Sequence, residues 1–362
     1  MQRLQPSMLV ALAALAACGG TSQVAARNTT APRTTATAPR TTATAPHATA
    51  TATAPRTTTS ARAAVSPPPA LQVQALITAE TENRLVIVDL PSGRIAARTA
   101  VAADPENVAV GHGIVVVVSP RSAKVTLFDR RTLRVLRVIG GFHSPHIPAV
   151  SPDGDYVYVT DDAAGTLTSI SLLTLRAIST INVGSAAHHL TFSPDGRRLW
   201  IALGESADTI SIIDTADLAR PRLVGGFHPG FSVHDLKFSP SGAQVWVTSA
   251  SGPDVTVFSS RDRRLLFKVP VGAPPQHLVF SNDYAFLTSG YGGTIAKAAL
   301  ATGAVLARAH APYGSFELDA GHGLVASSSL LRGTVAVYDA ALRLLRIIRV
   351  APAARDVAIS AP

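Results

Sequence analysis

The chain of 362 residues contains a single cysteine, Cys18. A solitary cysteine cannot form an internal disulfide, so no disulfide framework holds this fold together. The sequence also lacks the glycine-rich phosphate-binding loops GxGxxG and GxxxxGK, and it lacks the GxSxG turn of serine hydrolases. These absences leave no nucleotide-binding loop and no nucleophile–base pair that residue spacing alone would support.

Acidic residues are missing from the whole segment between Gly19 and Ala70, which consists mainly of Thr, Ala, Pro and Arg. Such a segment has too little bulky apolar surface to offset the entropy of ordering, and its spaced prolines disfavour a helix. The composition therefore predicts a disordered tether. About 50 residues would reach roughly 40 Å as a coil and about 150 Å when extended.

A long apolar run is also absent, since the stretch from Met8 to Ala17 is too short to span a bilayer as a helix. It has the proportions of a signal peptide. The run LAAC that ends at Cys18 resembles the lipobox of bacterial lipoproteins, which implies an acylated cysteine at the mature N-terminus. We therefore expect a signal peptide over 1–17, a lipidated tether over 18–70 and a folded part over 71–362. The protein would then be extracytoplasmic and anchored to a bacterial cell membrane; an ordinary cleaved signal is the alternative.

The net charge of +9 belongs mostly to the tether. Six of the 32 basic residues precede residue 71 whereas all 23 acidic residues follow it, so the folded part carries about +3. The basic arm could contact anionic lipid or cell-wall polymer, and nucleic acid is not the expected partner.

A repeat covers residues 71–362. The clearest copies are HIPAVSPDGDYVYVT, HHLTFSPDGRRLWIA, HDLKFSPSGAQVWVT and QHLVFSNDYAFLTSG, with weaker copies from Glu106 and Phe316. Their starts lie 40 to 46 residues apart. A period near 40 with short alternating strands and Pro-Asp-Gly turns is typical of propeller blades. The pattern predicts an all-β, monomeric, seven-bladed β-propeller with four-stranded blades, in which the C-terminal strand completes the first blade and closes the ring.

The repeat resembles the YVTN β-propeller family, on the YVYVT run from Tyr156 and the stretch VGSAAHHLTFSPDG from Val183. The resemblance extends over nearly all of residues 71–362 and implies the propeller fold. It implies little about activity, because propellers of this kind include surface-layer proteins and binding modules, and related propellers are lactonases or metalloenzymes. The turn sequence departs from the family pattern at 111–113, 281–284 and 321–323.

Two successive positions of each repeat are expected to line one mouth of the central channel, where the chain begins each inner strand. We call them the first and second rim positions. The first is held by Glu106, His146, His188, His234, Gln276, Phe316 and Arg355, and the second by Asn107, Ile147, His189, Asp235, His277, Glu317 and Asp356. The predicted ligand-binding residues are Glu106, His146, His188, His189, His234, His277 and Arg355.

Imidazole is a common ligand of zinc and copper, so His146, His188 and His234 are the predicted metal ligands, with Zn or Cu as the cofactor. His143 and His228 are expected to approach the same face. Two other interpretations stay open at this point: a polar ligand-binding mouth without metal, and histidines that only hydrogen-bond between blades.

The function predicted from these features is a binding or scaffolding module whose ligand would be a cell-wall polymer, glycan or protein. A metal-dependent enzyme, hydrolytic or redox, and a lactonase-like hydrolase are the alternatives. The aspartates of the inter-strand turns, Asp153, Asp161, Asp162 and Asp195, are expected to be solvated. Trp200 and Trp246 hold equivalent positions and are expected to pack between blades.

Overall fold

Seven four-stranded antiparallel sheets form a ring in the computed structural model, which describes residues 73–204, 208–249 and 251–360. The predicted all-β, seven-bladed propeller is confirmed. The predicted signal peptide, the lipidation site Cys18 and the tether up to residue 70 lie outside the described residues. Within the part of the chain that the structure describes, no helix is long and apolar enough to cross a membrane.

Each blade runs from an inner strand at the central channel to an outer strand on the outside of the propeller. The inner strands are β4 Val108–Gly111, β8 Pro145–Val150, β12 Leu190–Phe192, β16 Leu236–Phe238, β20 Leu278–Ser281, β24 Ser315–Gly321 and β28 Ala354–Ser360. The second strands are β1 Gln74–Ala79, β5 Ile114–Ser119, β9 Tyr156–Asp161, β13 Arg198–Ala202, β17 Gln244–Val247, β21 Tyr284–Ser289 and β25 Leu324–Ser329.

The third strands lie outside these and pair with the outer strands. The third strands are β2 Arg84–Asp89, β6 Lys124–Asp129, β10 Thr166–Ser171, β14 Ile210–Asp214, β18 Asp254–Ser259, β22 Thr294–Ala299 and β26 Thr334–Asp339. The outer strands are β3 Arg94–Ala100, β7 Val135–Ile139, β11 Arg176–Asn182, β15 Arg222–Phe227, β19 Leu265–Pro270, β23 Val305–His310 and β27 Leu344–Arg349. One short 3₁₀ helix, Glu80–Glu82, follows β1. Every third–outer pair shifts register once, which adds twist at the same place in each blade.

The ring is closed by β28, which pairs antiparallel with β1 and supplies the inner strand of the first blade. The register places Ile77 opposite Val357 and Ala75 opposite Ile359. Because the two ends of the folded chain share one sheet, the first blade has no unpaired inner edge. This is the closure that the repeat pattern predicts.

The turns between inner and second strands explain why the repeat tolerates two sequences there. In SPDG turns the Gly154 N–H donates to the Ser151 carbonyl at 2.8 Å, as in a type I turn. In the GHG copy, His112 and Gly113 both have positive φ, 46° and 71°, as a two-residue type I′ hairpin requires. The GHG departures are therefore a tighter hairpin in an otherwise regular blade.

The hydrophobic core lies between the blades, since each sheet buries both faces against its neighbours. Val116 of the second blade packs in one cluster with Val157 of the third, for example. Trp200 and Trp246 are buried in such clusters, which confirms their predicted packing role. Because all seven blades have the same strand order, their inner strands begin at the same end of the channel, and the first residues of these strands converge there.

Candidate metal and ligand site at the channel mouth

The first rim position joins the blades through its main chain. Its carbonyl accepts a hydrogen bond from a hydroxyl of the preceding blade: Thr160 Oγ1 donates to His188 at 2.7 Å, and Thr248 Oγ1 donates to Gln276 at 2.8 Å. The same bond joins Thr78 to Glu106 and Ser328 to Arg355. These inter-blade hydrogen bonds use the carbonyl and would form with any side chain at the rim. The imidazoles are therefore available for another role.

Five imidazoles contact one another at the mouth, and we call them the histidine cluster: His146, His188, His189, His234 and His277. The rings of His146 and His188 stack with centroids 4.0 Å apart. The ring of His189 lies 4.4 Å from that of His188, 4.7 Å from His277 and 4.9 Å from His234. Residues from four consecutive blades, 131 positions apart at the extremes, are thereby brought into contact.

The cluster contains two sets of three imidazoles whose ligand nitrogens lie within 4.8 Å of one another. One set is His146, His188 and His189, and the other is His189, His234 and His277. The predicted trio His146, His188 and His234 is thus divided between the two sets, and His189 belongs to both. The predicted ligand residues do lie together, but the ring at the centre of the cluster is one that the predicted metal trio leaves out.

His189 is the most unusual member of the cluster. Its side chain is buried, and neither ring nitrogen has a hydrogen-bond partner among the described residues. Burial, followed by the charges of the surrounding imidazoles, lowers the pKa of His189 well below its usual value. The ring is therefore neutral and offers a lone pair. Burying a polar group without a partner costs about 1–3 kcal/mol, a cost that a ligand bound at either nitrogen would offset.

One pair of nitrogens in the second set has the spacing of ligands that share a metal ion. The Nε2 atoms of His234 and His277 lie 3.4 Å apart. Two nitrogens bound to one tetrahedral zinc ion, each about 2.05 Å from the metal, are about 3.3 Å apart. The Oε1 atom of Glu317 lies 3.0 Å from the same Nε2 of His277 and places a carboxylate beside the set. The donor set of three imidazoles and one carboxylate suits zinc or copper.

Carboxylates hold the outer nitrogens of the cluster. Nδ1 of His188 lies 2.9 Å from Asp162 Oδ2, and Nδ1 of His146 lies 3.4 Å from Glu106 Oε2. A carboxylate on one ring nitrogen fixes the tautomer and orients the other nitrogen, as is common for metal-bound histidine. These pairs turn Nε2 of both rings away from their carboxylates.

His277 lies between two carboxylates, with Asp235 3.6 Å from Nδ1 and Glu317 3.0 Å from Nε2. Burial opposes its protonation, but the carboxylates of Glu317 and Asp235 outweigh it and raise the pKa of His277 to about 10. Burial likewise favours the neutral form of Glu317, yet His277 holds the pKa of that carboxyl below its usual value. A metal ion at Nε2 would replace the proton of this ion pair, so binding is expected to release a proton.

The mouth leads into the channel below. A cavity of about 270 Å³ extends from His189 and His277 past Lys237 to Asp319 and Asp356. Asp319 bridges two blades, because its carboxylate accepts the N–H of Ala320 and, at 2.7 Å, that of Ile359. Burial is the largest effect on this carboxyl and raises the pKa of Asp319 to about 6.

The structure corrects the prediction for two turn aspartates. Asp161 is buried and accepts the backbone N–H groups of His143 and Ser144, and Asp162 pairs with His188, so neither is a solvated turn residue. Asp153 and Asp195 are exposed, as expected. In an antiparallel blade the second strand ends beside the start of the inner strand, and this topology carries Asp161 and Asp162 to the mouth.

Two other histidines do not join the cluster. His143 and His228, expected to approach the same face, are exposed, and His228 pairs with Asp208 at 3.3 Å. Besides Asp162, two residues absent from the predicted ligand set contact it, namely Asp235 and Glu317. Both occupy the second rim position, so the repeat alignment itself contained the signal for them.

Together the fold and the cluster define a seven-bladed propeller with a histidine-lined mouth. No family model and no curated protein matches the chain. Among solved structures the chain is similar to a functionally unknown protein from Desulfotomaculum acetoxidans DSM 771, at 16% identity and a TM-score of 0.70, covering 80% of this chain and 99% of that one.

Two other similar structures carry different assignments. A candidate 6-phosphogluconolactonase from Bacteroides uniformis ATCC 8492 matches at 17% identity and a TM-score of 0.67, covering 80% of this chain and 100% of that one. Hydrazine synthase of Kuenenia stuttgartiensis matches at 16% identity and a TM-score of 0.66, covering 74% and 92%. At such identities the likeness shows the propeller fold and nothing about activity.

Proposed function

We propose that this protein is an exported, lipid-anchored propeller of the YVTN type that binds one zinc or copper ion through His189, His234 and His277. The signal-like N-terminus, Cys18 and the tether support the location outside the cytoplasm. The single observation that carries the metal site is His189. It is a buried neutral imidazole whose two nitrogens have no hydrogen-bond partner among the described residues, and it is surrounded by four other imidazoles.

The histidine cluster contains the ligands that such an ion needs. His189, His234 and His277 would supply imidazole ligands, and Glu317 is at hand as a fourth donor or as a counter-charge. Asp235 holds the ring of His277 from its outer nitrogen. When bound, the ion would supply Lewis-acid chemistry as zinc or electron transfer as copper.

A metal-dependent enzyme is the second candidate, and one observation favours it. A cavity of about 360 Å³ opens beside His234 and His277 and leaves space for a small molecule next to the ion. A lactonase-like activity has no residue-level support, since the similar structures share only the fold. If no metal binds, a module for a cell-wall polymer, glycan or protein becomes the better proposal.

Elemental analysis of the purified full chain after incubation with zinc and copper salts tests the proposal. We expect about one equivalent of metal in the wild type and none in His189→Leu. The matched control is His310→Leu, because His310 is exposed on the outer strand β23. For copper, electron paramagnetic resonance should show nitrogen hyperfine coupling that only the first variant loses. Equal metal content in all three proteins would overturn the proposal.

A further inference from the structure

The cavity beside His234 and His277 has a polar side and an aromatic side. Arg355 and Gln276, from the first rim position, form the polar side together with the carboxylate of Glu317. Phe316, Tyr291 and Leu330 form the other. A volume of about 360 Å³ falls within the range of pockets that hold small organic molecules.

Arg355 is the polar group with the most unused bonding capacity. Its side chain is 29% exposed, and its ion pair with Glu106 is long, at 3.7 Å. Among the described residues its guanidinium makes no hydrogen bond, although the group has five N–H donors. A guanidinium with free donors at the wall of a cavity suits a carboxylate, which it can bind through two parallel hydrogen bonds.

The aromatic side is built by Phe316, which holds the first rim position where three other blades carry histidine. The ring lies over Gly290: a Cβ added at that glycine would come within 2.1 Å of Phe316 Cδ1, so only glycine allows this placement. The ring of Tyr291 meets Phe316 edge to face at 5.0 Å and is 67% exposed. A large exposed aromatic ring at the edge of a cavity can contact the ring of a ligand.

The charges around the cavity favour a single negative charge on the ligand. Four carboxylates oppose Arg355, those of Glu106, Glu317, Glu80 and Asp356, so a dianion such as phosphate would be repelled more strongly than a monoanion. A metal ion held by neutral imidazoles adds positive charge beside Arg355. The cavity is thus suited to a monoanion that carries an apolar or aromatic body.

We infer that this cavity binds a small aromatic carboxylate, with the carboxylate on Arg355 beside the metal ion and the ring against Phe316 and Tyr291. The inference rests on the proposed metal site for the positive charge next to Arg355. Arg355, Gln276 and the aromatic side belong to this chain whether or not a metal binds, so the two proposals can fail separately.

Isothermal titration of the full chain with benzoate tests the inference, in zinc-loaded and in metal-free protein. Benzyl alcohol keeps the ring without the charge, and inorganic phosphate keeps negative charge without the ring. We expect benzoate to bind the zinc-loaded protein and both comparison compounds to bind at least tenfold more weakly. Arg355→Gln should weaken benzoate at least tenfold, whereas Arg349→Gln, an exposed arginine at the end of β27, should leave it unchanged.

A second variant keeps the test decisive if Arg355→Gln does not fold. Gly290→Ala should displace the Phe316 ring and weaken benzoate while the zinc content stays at one equivalent. Bound zinc with no benzoate binding, or with phosphate binding as well as benzoate, overturns this inference and leaves the proposed function intact. Benzoate binding that depends on Arg355 in a protein that takes up no metal supports the cavity and overturns the proposed function.

Discussion

Replacing His189 by leucine should make the metal-free protein more stable and the metal-bound protein less so. The imidazole is buried with neither nitrogen hydrogen-bonded to a described residue, and leucine fills a similar volume without polar atoms. Removing an unpaired buried polar group is worth about 1–3 kcal/mol. The metal-free His189→Leu variant should therefore gain that free energy of unfolding.

Bound metal should reverse the order of stability of the wild type and the His189→Leu variant. A ligand present at 100 times its dissociation constant stabilises the folded state by about 2.7 kcal/mol, and the variant loses this contribution with its central ligand. The stability difference between the two proteins should therefore change sign or shrink to about zero when zinc or copper is added. For a domain of this size, 1 kcal/mol corresponds to about 2 °C in Tm.

Thermal unfolding followed by circular dichroism, with and without metal, measures both effects. His310→Leu is the control and should behave like the wild type in both conditions, because exposed substitutions rarely change stability by more than about 0.5 kcal/mol. A metal-free His189→Leu protein that is destabilised by 2 kcal/mol or more would mean that the imidazole stabilises the fold. A variant that keeps the full metal-induced shift would mean that His189 is not a ligand. Either result refutes the reasoning.

Two further predictions concern the channel and the closure. Burial raises the pKa of Asp319 to about 6 in the folded state, above about 4 in the unfolded chain, so its contribution to stability is present below pH 4 and is lost as pH rises through 6. Burial raises the pKa of Asp356 as well, which adds to the decline in stability, so in urea unfolding from pH 4 to 7 Asp319→Asn should reduce the decline by about 1–3 kcal/mol, and an equal decline in the variant would assign it to other groups. Deleting residues 354–362 removes β28 and exposes the edge of β1; the loss of buried side chains and backbone bonds should cost at least about 5 kcal/mol, and an unchanged unfolding midpoint would contradict the role of β28 in closure.

The architecture could be read from the sequence because its determinants are local and repeated. The alternating apolar residues around the SPDG turns specify two adjacent strands, and the 40-residue period specifies how often they recur. Closure by β28 follows because the C-terminal RDVAIS repeats the inner-strand pattern that the first blade lacks. The GHG turn at 111–113 departs from the SPDG pattern in sequence, yet the left-handed backbone of His112 and Gly113 makes it an ordinary two-residue hairpin.

The site was only partly predictable. Aligning the repeats gives the position of each residue around the propeller, but it does not give the direction in which an imidazole nitrogen points. It places His146, His188 and His234 in one cluster, since equivalent strand starts converge, but these three do not form one ligand set. It could not indicate that His189 would be the buried centre of the cluster. The sequence predicts that Asp162 is solvated, because it follows a strand in a turn. Whether that turn lies at the mouth or at the opposite end of the channel depends on how the four strands of the blade are connected, which one turn does not show.

The residues at the mouth differ between two groups of consecutive blades, four that carry the histidine cluster and three that do not. The histidines come from four consecutive blades. They lie together because blades that are consecutive in sequence are neighbours in the propeller. The rim positions of the other three blades hold Glu106, Asn107, Phe316, Glu317, Arg355 and Asp356. Inter-blade bonding through main-chain carbonyls is needed around the whole ring, so it gives no reason for this asymmetry. A metal bound by the imidazoles, with a monoanion held beside it by Arg355, would account for the histidines and for the one cation among the carboxylates of the other three blades.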